Sequence, residues 1–318
     1  MTSKQFLKMF DNSKHTFHLI GNEKTGIIIG LSLEGRLFTV IDGKVVSRVN
    51  PEVFKMRSSI DNYVNPGGDV LWPAPEGSCL GYEYPTGQWR VPPGLTEAHY
   101  KVDAHTKNQA IISAEVDLIN NLGIGIPTIF TRDVKVSQKK GSLIVTTLES
   151  IEYIGAKELK QNQCLLGPWS LCQFDCTQGC EVVMPSQNRE DVWDLYEPSN
   201  KLRSLSNGIY QIRTEGNQRF QVGISPKVEW IEYINPKENL QVRRFAKPID
   251  EGFNYFDISD RPPTEKPQKT EVRYSVYNDT NGFMEIEAAG GTAKKWVKHT
   301  NSKVFITTIF SRINIKEE

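Results

Sequence analysis

The chain lacks most of the features that announce a function. No apolar run in its 318 residues approaches the roughly 20 needed to span a bilayer, and Met1 to Lys14 is polar, without the apolar stretch of a signal peptide. The expected location is the cytoplasm, or the periplasm if a leader has been removed, with no membrane partner. Net charge is also lacking: 38 basic side chains balance 38 acidic ones. No whole-chain field gathers a polyanion, so no nucleic-acid partner is expected. The sequence contains no G-x-S-x-G elbow, no G-x-x-x-x-G-K-[ST] loop and no H-E-x-x-H helix, which leaves serine-hydrolase, nucleotide-hydrolase and zinc-protease chemistry without an anchor. The five cysteines, Cys79, Cys164, Cys172, Cys176 and Cys180, include no C-x-x-C knuckle. They are expected to be free thiols rather than zinc ligands, and no metal or cofactor is expected. The five histidines are scattered, without ligand spacing.

Helix signals are scarce as well. Only Met1 to Phe10 and Gly291 to Thr300 carry them, with a single turn predicted at Asn188 to Tyr196. The absence of strand–helix alternation disfavours a parallel nucleotide-binding sheet.

What is present is strand after strand. Thr25 to Val49 is rich in β-branched residues and punctuated by Gly30, Gly35 and an Asp42-Gly43 turn, the pattern of a meander. Ala98 to Glu152 alternates apolar and polar residues, with a hairpin turn at Lys140-Gly141, and short strands are predicted onward to Val304–Ile313. Asn62 to Pro93 is interrupted by N-P-G-G, W-P-A-P-E-G, Y-P-T-G and V-P-P-G, and is predicted to be a long ordered loop of the binding-loop kind. The fold class is therefore all-β, with large antiparallel sheets. No composition shift marks a boundary, so residues 1–318 are expected to form one domain.

Three tryptophans, Trp72, Trp89 and Trp169, stand beside turn-forming or polar residues (Pro73, Gly87, Pro168, Gln173). A flat apolar face next to hydrogen-bonding groups suits a sugar ring, whose CH face stacks while its hydroxyls need donors and acceptors. The same indoles could equally fill a large β core. In F-M-E-I-E-A-A-G-G, Glu285 and Glu287 point to one strand face, while Arg243 and Arg244 point to opposite faces of theirs. Two carboxylates on one face are costly to bury without a cation or ligand, yet unremarkable if that face is wet.

Four segments together carry a resemblance: N-P-G-G-D-V-L-W-P-A-P-E-G at Asn65 to Gly77, N-L-G-I-G-I-P at Asn121 to Pro127, G-P-W-S-L-C-Q-F at Gly167 to Phe174, and F-M-E-I-E-A-A-G-G at Phe283 to Gly291. In order and spacing the chain resembles bacterial members of the galactose mutarotase-like (aldose 1-epimerase-like) superfamily. The resemblance implies a β-supersandwich with a sugar-binding groove on one sheet. It also implies hemiacetal chemistry, in which a histidine acts as general acid and a late glutamate as base. Glu287 falls where that glutamate would be, with Glu285 as the register alternative. The family's histidine motifs are replaced by G-G-D-V-L-W and L-E-S-I-E-Y. The acid candidates are then Glu76, His99 and Glu149, and Glu76 is preferred because it shares a loop with Trp72.

The expected site thus comprises Glu287 and Glu76 as catalytic carboxyls, with Trp72, Trp89, His99, Trp169, Gln173, Arg243, Arg244 and Glu285 binding a small-molecule carbohydrate. Two functions stay open: an epimerase or other carbohydrate-active enzyme, and a non-catalytic sugar-binding, accessory or structural module.

Overall fold

The computed structural model describes residues 1–59, 62–82 and 90–313. Two ten-stranded antiparallel sheets dominate it. The first runs, neighbour to neighbour, Phe17–Gly21, Gly26–Gly30, Arg36–Ile41, Asp69–Ala74, Gly167–Asp175, Phe283–Ala289, Tyr274–Asp279, Phe220–Ile224, Val192–Asp194, with Lys44–Val45 added beside Arg36–Ile41. The second runs Arg203–Ser206, Ile209–Arg213, Glu181–Pro185, Ile231–Asn235, Leu240–Ala246, Asn301–Arg312, Ser142–Tyr153, Gly125–Lys139, Gln109–Ile119, Lys101–Thr106. The all-β expectation holds.

The second sheet keeps a clean alternation. Along Gly125–Lys139 and Asn301–Arg312 every other side chain is buried, and those between face outward. This is the period of a sheet with one face on a core and one toward solvent. The central strands of the first sheet differ: Asp69–Ala74 and Phe283–Ala289 are buried at every position. Inner side chains of the central strands meet the second sheet, as where Phe174 of Gly167–Asp175 stacks on Tyr233 at 4.9 Å. Their outer side chains are buried too.

Part of that outer face is closed by the amino-terminal helix Ser3–Asp11, which starts at a Thr2/Gln5 capping box. It lays Phe6 and Phe10 over Ile28, Phe38 and Val40. Gly26–Gly30 can therefore be one unbroken apolar run, with Ile27 and Ile29 facing the main core and Ile28 the helix.

Polar side chains knit the two sheets. Arg132, fully buried, reaches both Asp69 and Glu149, and donates to the Gly35 and Asp69 carbonyls at 3.0 and 2.8 Å. Arg244 donates to Asp69 at 2.9 Å, to the Ser170 hydroxyl and to the Ile286 carbonyl at 2.8 Å. Such ions persist in a core only when paired and hydrogen-bonded.

Two predicted elements are corrected. The loop predicted over Asn62 to Pro93 contains a central strand, Asp69–Ala74. Its Pro73 is tolerated because the strand touches Arg36–Ile41 only at Leu37–Asp69, so the proline's missing N–H interrupts no ladder on that flank. The helix predicted at Gly291 to Thr300 is instead two short strands, Thr292–Ala293 and Lys295–Trp296, because Trp296 is drawn fully into the core. The hairpin turns at Asp42-Gly43 and Lys140-Gly141 are present, each with both residues at positive φ. Among the described residues no helix is long and apolar enough to cross a membrane.

Candidate functional site

The outer face of the first sheet is where the polar residues of this chain are buried without an obvious structural reason. Registers define its rows. Glu287 stands opposite Leu171 on one side and Ser275 on the other, and Leu171 is opposite Val70. One step along, Trp169 pairs with Trp72 and Ala289; one step back, Gln173 pairs with Glu285, and Glu285 with Tyr277. Directly opposed residues share a face. Trp72, Trp169, Gln173, Glu285 and Glu287 therefore lie on one surface, with the Trp72 and Glu287 strands two spacings, about 10 Å, apart.

At the centre is Glu287, with no exposed surface. The Trp169 indole donates to it at 3.0 Å, and the Gln221 amide lies 3.3 and 3.2 Å from its two oxygens. Burial pushes its carboxyl well above the usual range, and the adjacent Glu285 adds to the rise. Burial likewise pushes Glu285 up, to about 7, against the pull of its contact with Glu287 and the charges of Arg36 and Arg48. The two behave as one pair holding a proton near neutral pH.

Around the pair stand groups the sequence did not single out. Arg36, buried, binds Glu34 at 2.7 Å, the Gly67 carbonyl at 2.7 Å and the Tyr63 hydroxyl at 2.6 Å. Gly67 and Gly68, both at positive φ, turn the chain tightly here, and a Cβ on Gly67 would lie 2.3 Å from the Arg48 carbonyl. Arg48 is woven in beside Gln173 by backbone bonds and lays its guanidinium over Phe283 at 3.9 Å. Burial lowers its pKa despite the nearby Asp175, Glu285 and Asp279. Farther across, Arg219 is exposed, donates to the Tyr277 hydroxyl at 3.2 Å and stands over the Tyr196 ring at 5.2 Å.

Buried polar atoms on this face with no hydrogen-bond partner among the described residues include Gln173 Oε1, Gln221 Oε1, Arg48 Nη1 and Trp193 Nε1. Two are acceptors and two are donors. Orphaned polar groups are expensive in a folded protein, and these donors and acceptors together match a ligand that both donates and accepts.

Glu76 follows two residues after the Trp72 strand, anchored by its backbone to Ile258 and Tyr82. Its charge and that of Glu287 both bear on the Tyr196 phenol, which burial first, then Tyr277 and these carboxylates, holds far above its ordinary pKa. Glu76 thus belongs to the same neighbourhood. Trp89 lies outside the described residues. His99 is exposed in the approach to Lys101–Thr106, the edge strand of the other sheet, and nothing links it to Glu287.

The arginines require correction. Leu240–Ala246 belongs to the second sheet, so neither residue reaches the face of Glu287. Arg243 points outward, bound to Glu232 and stacked over Trp230 at 4.1 Å. Arg244 points inward and supports the site strands from beneath, through Ser170 and Ile286. Glu149 is also removed as an acid candidate, because its strand faces the inter-sheet core and Arg132 holds it there. Four cysteines are buried and the fifth partly so, all as free thiols. Among the described residues no group of three or more His, Cys, Asp or Glu is placed to hold a metal.

Solved structures of galactose mutarotase-like proteins share this fold. The Slr1438 protein of Synechocystis sp. PCC 6803 superposes with a TM-score of 0.56 at 12% identity, over 93% of this chain and 96% of that one. A galactose mutarotase-like protein of Clostridium acetobutylicum gives 0.55 at 11%, over 94% and 96%. A galactose mutarotase related enzyme of Lactobacillus acidophilus gives 0.52 at 11%, over 94% and 99%. At these identities the likeness establishes the fold alone. The chain itself belongs to the family described as "Family of unknown function (DUF6786)", which matches residues 2–282. A search of the curated proteins finds no match.

Proposed function

We propose that the outer face of the first sheet binds a carbohydrate, and that the Glu285–Glu287 pair transfers protons at its anomeric centre. The observation that carries this reading is Glu287: a buried carboxyl oriented by Trp169 and Gln221, its pKa raised by burial and by a second carboxyl, on a face bearing a tryptophan pair and unpartnered donors and acceptors. Opening a hemiacetal requires one proton delivered to the ring oxygen and one removed from the anomeric hydroxyl. A carboxyl pair sharing a proton near pH 7 supplies both partners, and Glu76 provides a further carboxyl at the rim. Trp169 is buried and orients Glu287; Trp72, with 7% of its surface exposed, is the indole left to meet the CH face of the ring, and Gln173, Gln221 and Arg48 meet hydroxyls.

A second reading is a non-catalytic sugar-binding protein. It is favoured by the identity of the group touching Glu287: an indole N–H, which donates a hydrogen bond but releases no proton near neutral pH. Exchange spectroscopy on a panel of aldoses separates the two. Accelerated α/β interconversion supports the enzyme, whereas tryptophan-fluorescence or calorimetric binding without acceleration supports the binder. Neither binding nor acceleration across the panel removes the carbohydrate reading.

A further inference from the structure

On the same face, three strands over from Glu287, the edge strand Val192–Asp194 presents Trp193. The register places it in the Glu287 row: Trp193 opposite Gly223, Gly223 opposite Ser275, Ser275 opposite Glu287. Three strand spacings, about 14 Å, separate the two backbones. Gly223 is the reason the indole can lie flat on the sheet, since a Cβ there would meet Trp193 Cε2 and Nε1 at 2.8 Å. The strand is held on both sides of the tryptophan: Arg203 donates to the Val192 carbonyl at 3.1 Å and to Asp194 at 2.9 Å. Trp193 is therefore positioned before any ligand arrives.

Beside it lies a shallow cavity, open to solvent, of about 360 Å³, lined by Trp193, Ser225, Pro226, Lys269, Thr270 and Glu271. That is a small-molecule size. Trp193 Nε1 and Thr270 Oγ1 are buried with no partner among the described residues, while Lys269 and Glu271 stand exposed at the rim. An aromatic wall, two unpaired polar atoms and a charged rim repeat the chemistry of the central site: apolar surface for a CH face, hydrogen-bonding groups for hydroxyls.

We propose that this cavity is a second saccharide subsite, so that the ligand is a glycan of two or more units rather than a free monosaccharide. The inference rests on the carbohydrate reading of the Glu287 site. The lining of the cavity includes no residue that touches Glu287, so a ring seated there and a ring at Glu287 are separate units of one short chain. The central site then holds the unit on which proton transfer occurs, and Trp193 holds a unit further along and sets chain-length preference.

The test is a calorimetric titration with malto-, cello- and manno-oligosaccharides of one to six units, using the full chain and three variants. In the parent protein, affinity should rise roughly tenfold from the monosaccharide to the longer members of the preferred series, the scale of one added aromatic stacking contact. Trp193→Ala should return the longer members to the monosaccharide value. Gly223→Ala, which pushes the indole off the sheet, and Thr270→Val, which removes an unpaired hydroxyl from a partly exposed segment, should each reduce the gain. Thr270→Val also guards against a folding defect in the tryptophan variant. Monosaccharide binding that does not strengthen with length, or a length dependence unchanged in all three variants, overturns the subsite and leaves the central site standing. Absence of binding at every length overturns the carbohydrate reading itself.

Discussion

Trp169 and Glu287 are diagonal neighbours on adjacent strands, and the indole N–H donates to the carboxyl group at 3.0 Å. The contact joins a residue of the G-P-W-S-L-C-Q-F strand to one of the F-M-E-I-E-A-A strand, more than a hundred positions later. Because both are buried, the hydrogen bond fixes the orientation of the carboxyl before any substrate is present.

Glu287→Gln is expected to abolish sugar anomer interconversion while leaving binding within a few-fold of the parent. The amide keeps the size and still accepts from Trp169, but it can neither take nor give a proton. Exchange spectroscopy and calorimetry on the same preparation check this. Turnover that survives the change excludes the Glu287 carboxyl from the reaction.

Glu285 supplies a pH dependence whose sign is fixed. Its folded pKa, about 7, lies above the ordinary carboxylate value of 4.5, so the folded state binds the proton more tightly than the unfolded chain. The stability this contributes is complete below pH 4.5 and is lost as pH rises through 7, with a slope of up to about 1.4 kcal/mol per pH unit. Urea denaturation at intervals from pH 4.5 to 8 should show that loss in the parent protein and a flatter profile in Glu285→Gln. Equal slopes in the two would mean that the carboxyl is not protonated preferentially in the fold.

Asp69 bridges two buried arginines, Arg132 and Arg244, on the strand that also carries Trp72. Asp69→Ala leaves both guanidiniums short of a counter-charge in the inter-sheet core, with Glu149 remaining for Arg132 alone. A loss of about 3–5 kcal/mol is expected from denaturant midpoints. A loss below 1 kcal/mol would show that water or a rearranged partner replaces the carboxylate.

The sequence made much of this face legible, because alternation is a local signal. Glu285 and Glu287 share a face by spacing alone, as do Trp169 and Gln173. What spacing does not carry is which strands become neighbours. Arg243 and Arg244 were expected at the site because one of them had to point the right way, but their strand joined the other sheet. Gln221 and Trp193 reach the same face only through registers between strands distant in sequence, and Arg48 only through backbone bonds to Gln173 and Gly68, so no local pattern marks them. Trp193 was hidden further, because N-R-E-D-V-W-D-L-Y suggests a helical turn, whereas the 3-10 turn stops at Asp191 and an edge strand begins.

Trp72 tests the binding side of the proposal. Trp72→Ala should weaken sugar binding by roughly 1–3 kcal/mol, the scale of a lost aromatic contact. Calorimetric titration of the best ligand measures it, alongside a thermal melt to show that the central strand persists. An unchanged dissociation constant would assign the indole to packing alone.

Trp169→Phe separates the indole's hydrogen bond from its bulk. The phenyl ring keeps most of the apolar contact with Trp72 and Ala289 but offers no donor to Glu287. That donor favours the ionised carboxylate and opposes the upward push of burial and of Glu285. Removing it should raise the pKa of the carboxyl pair, because a hydrogen bond to the charged form is lost. Carbon-13 NMR of labelled glutamate side chains follows the titration directly. If the pair acts in proton transfer, the pH profile of anomer interconversion must move upward by the same amount. A titration that moves without the activity profile would separate the carboxyls from the rate-limiting proton transfer. A titration that does not move would mean the indole contributes no electrostatic support.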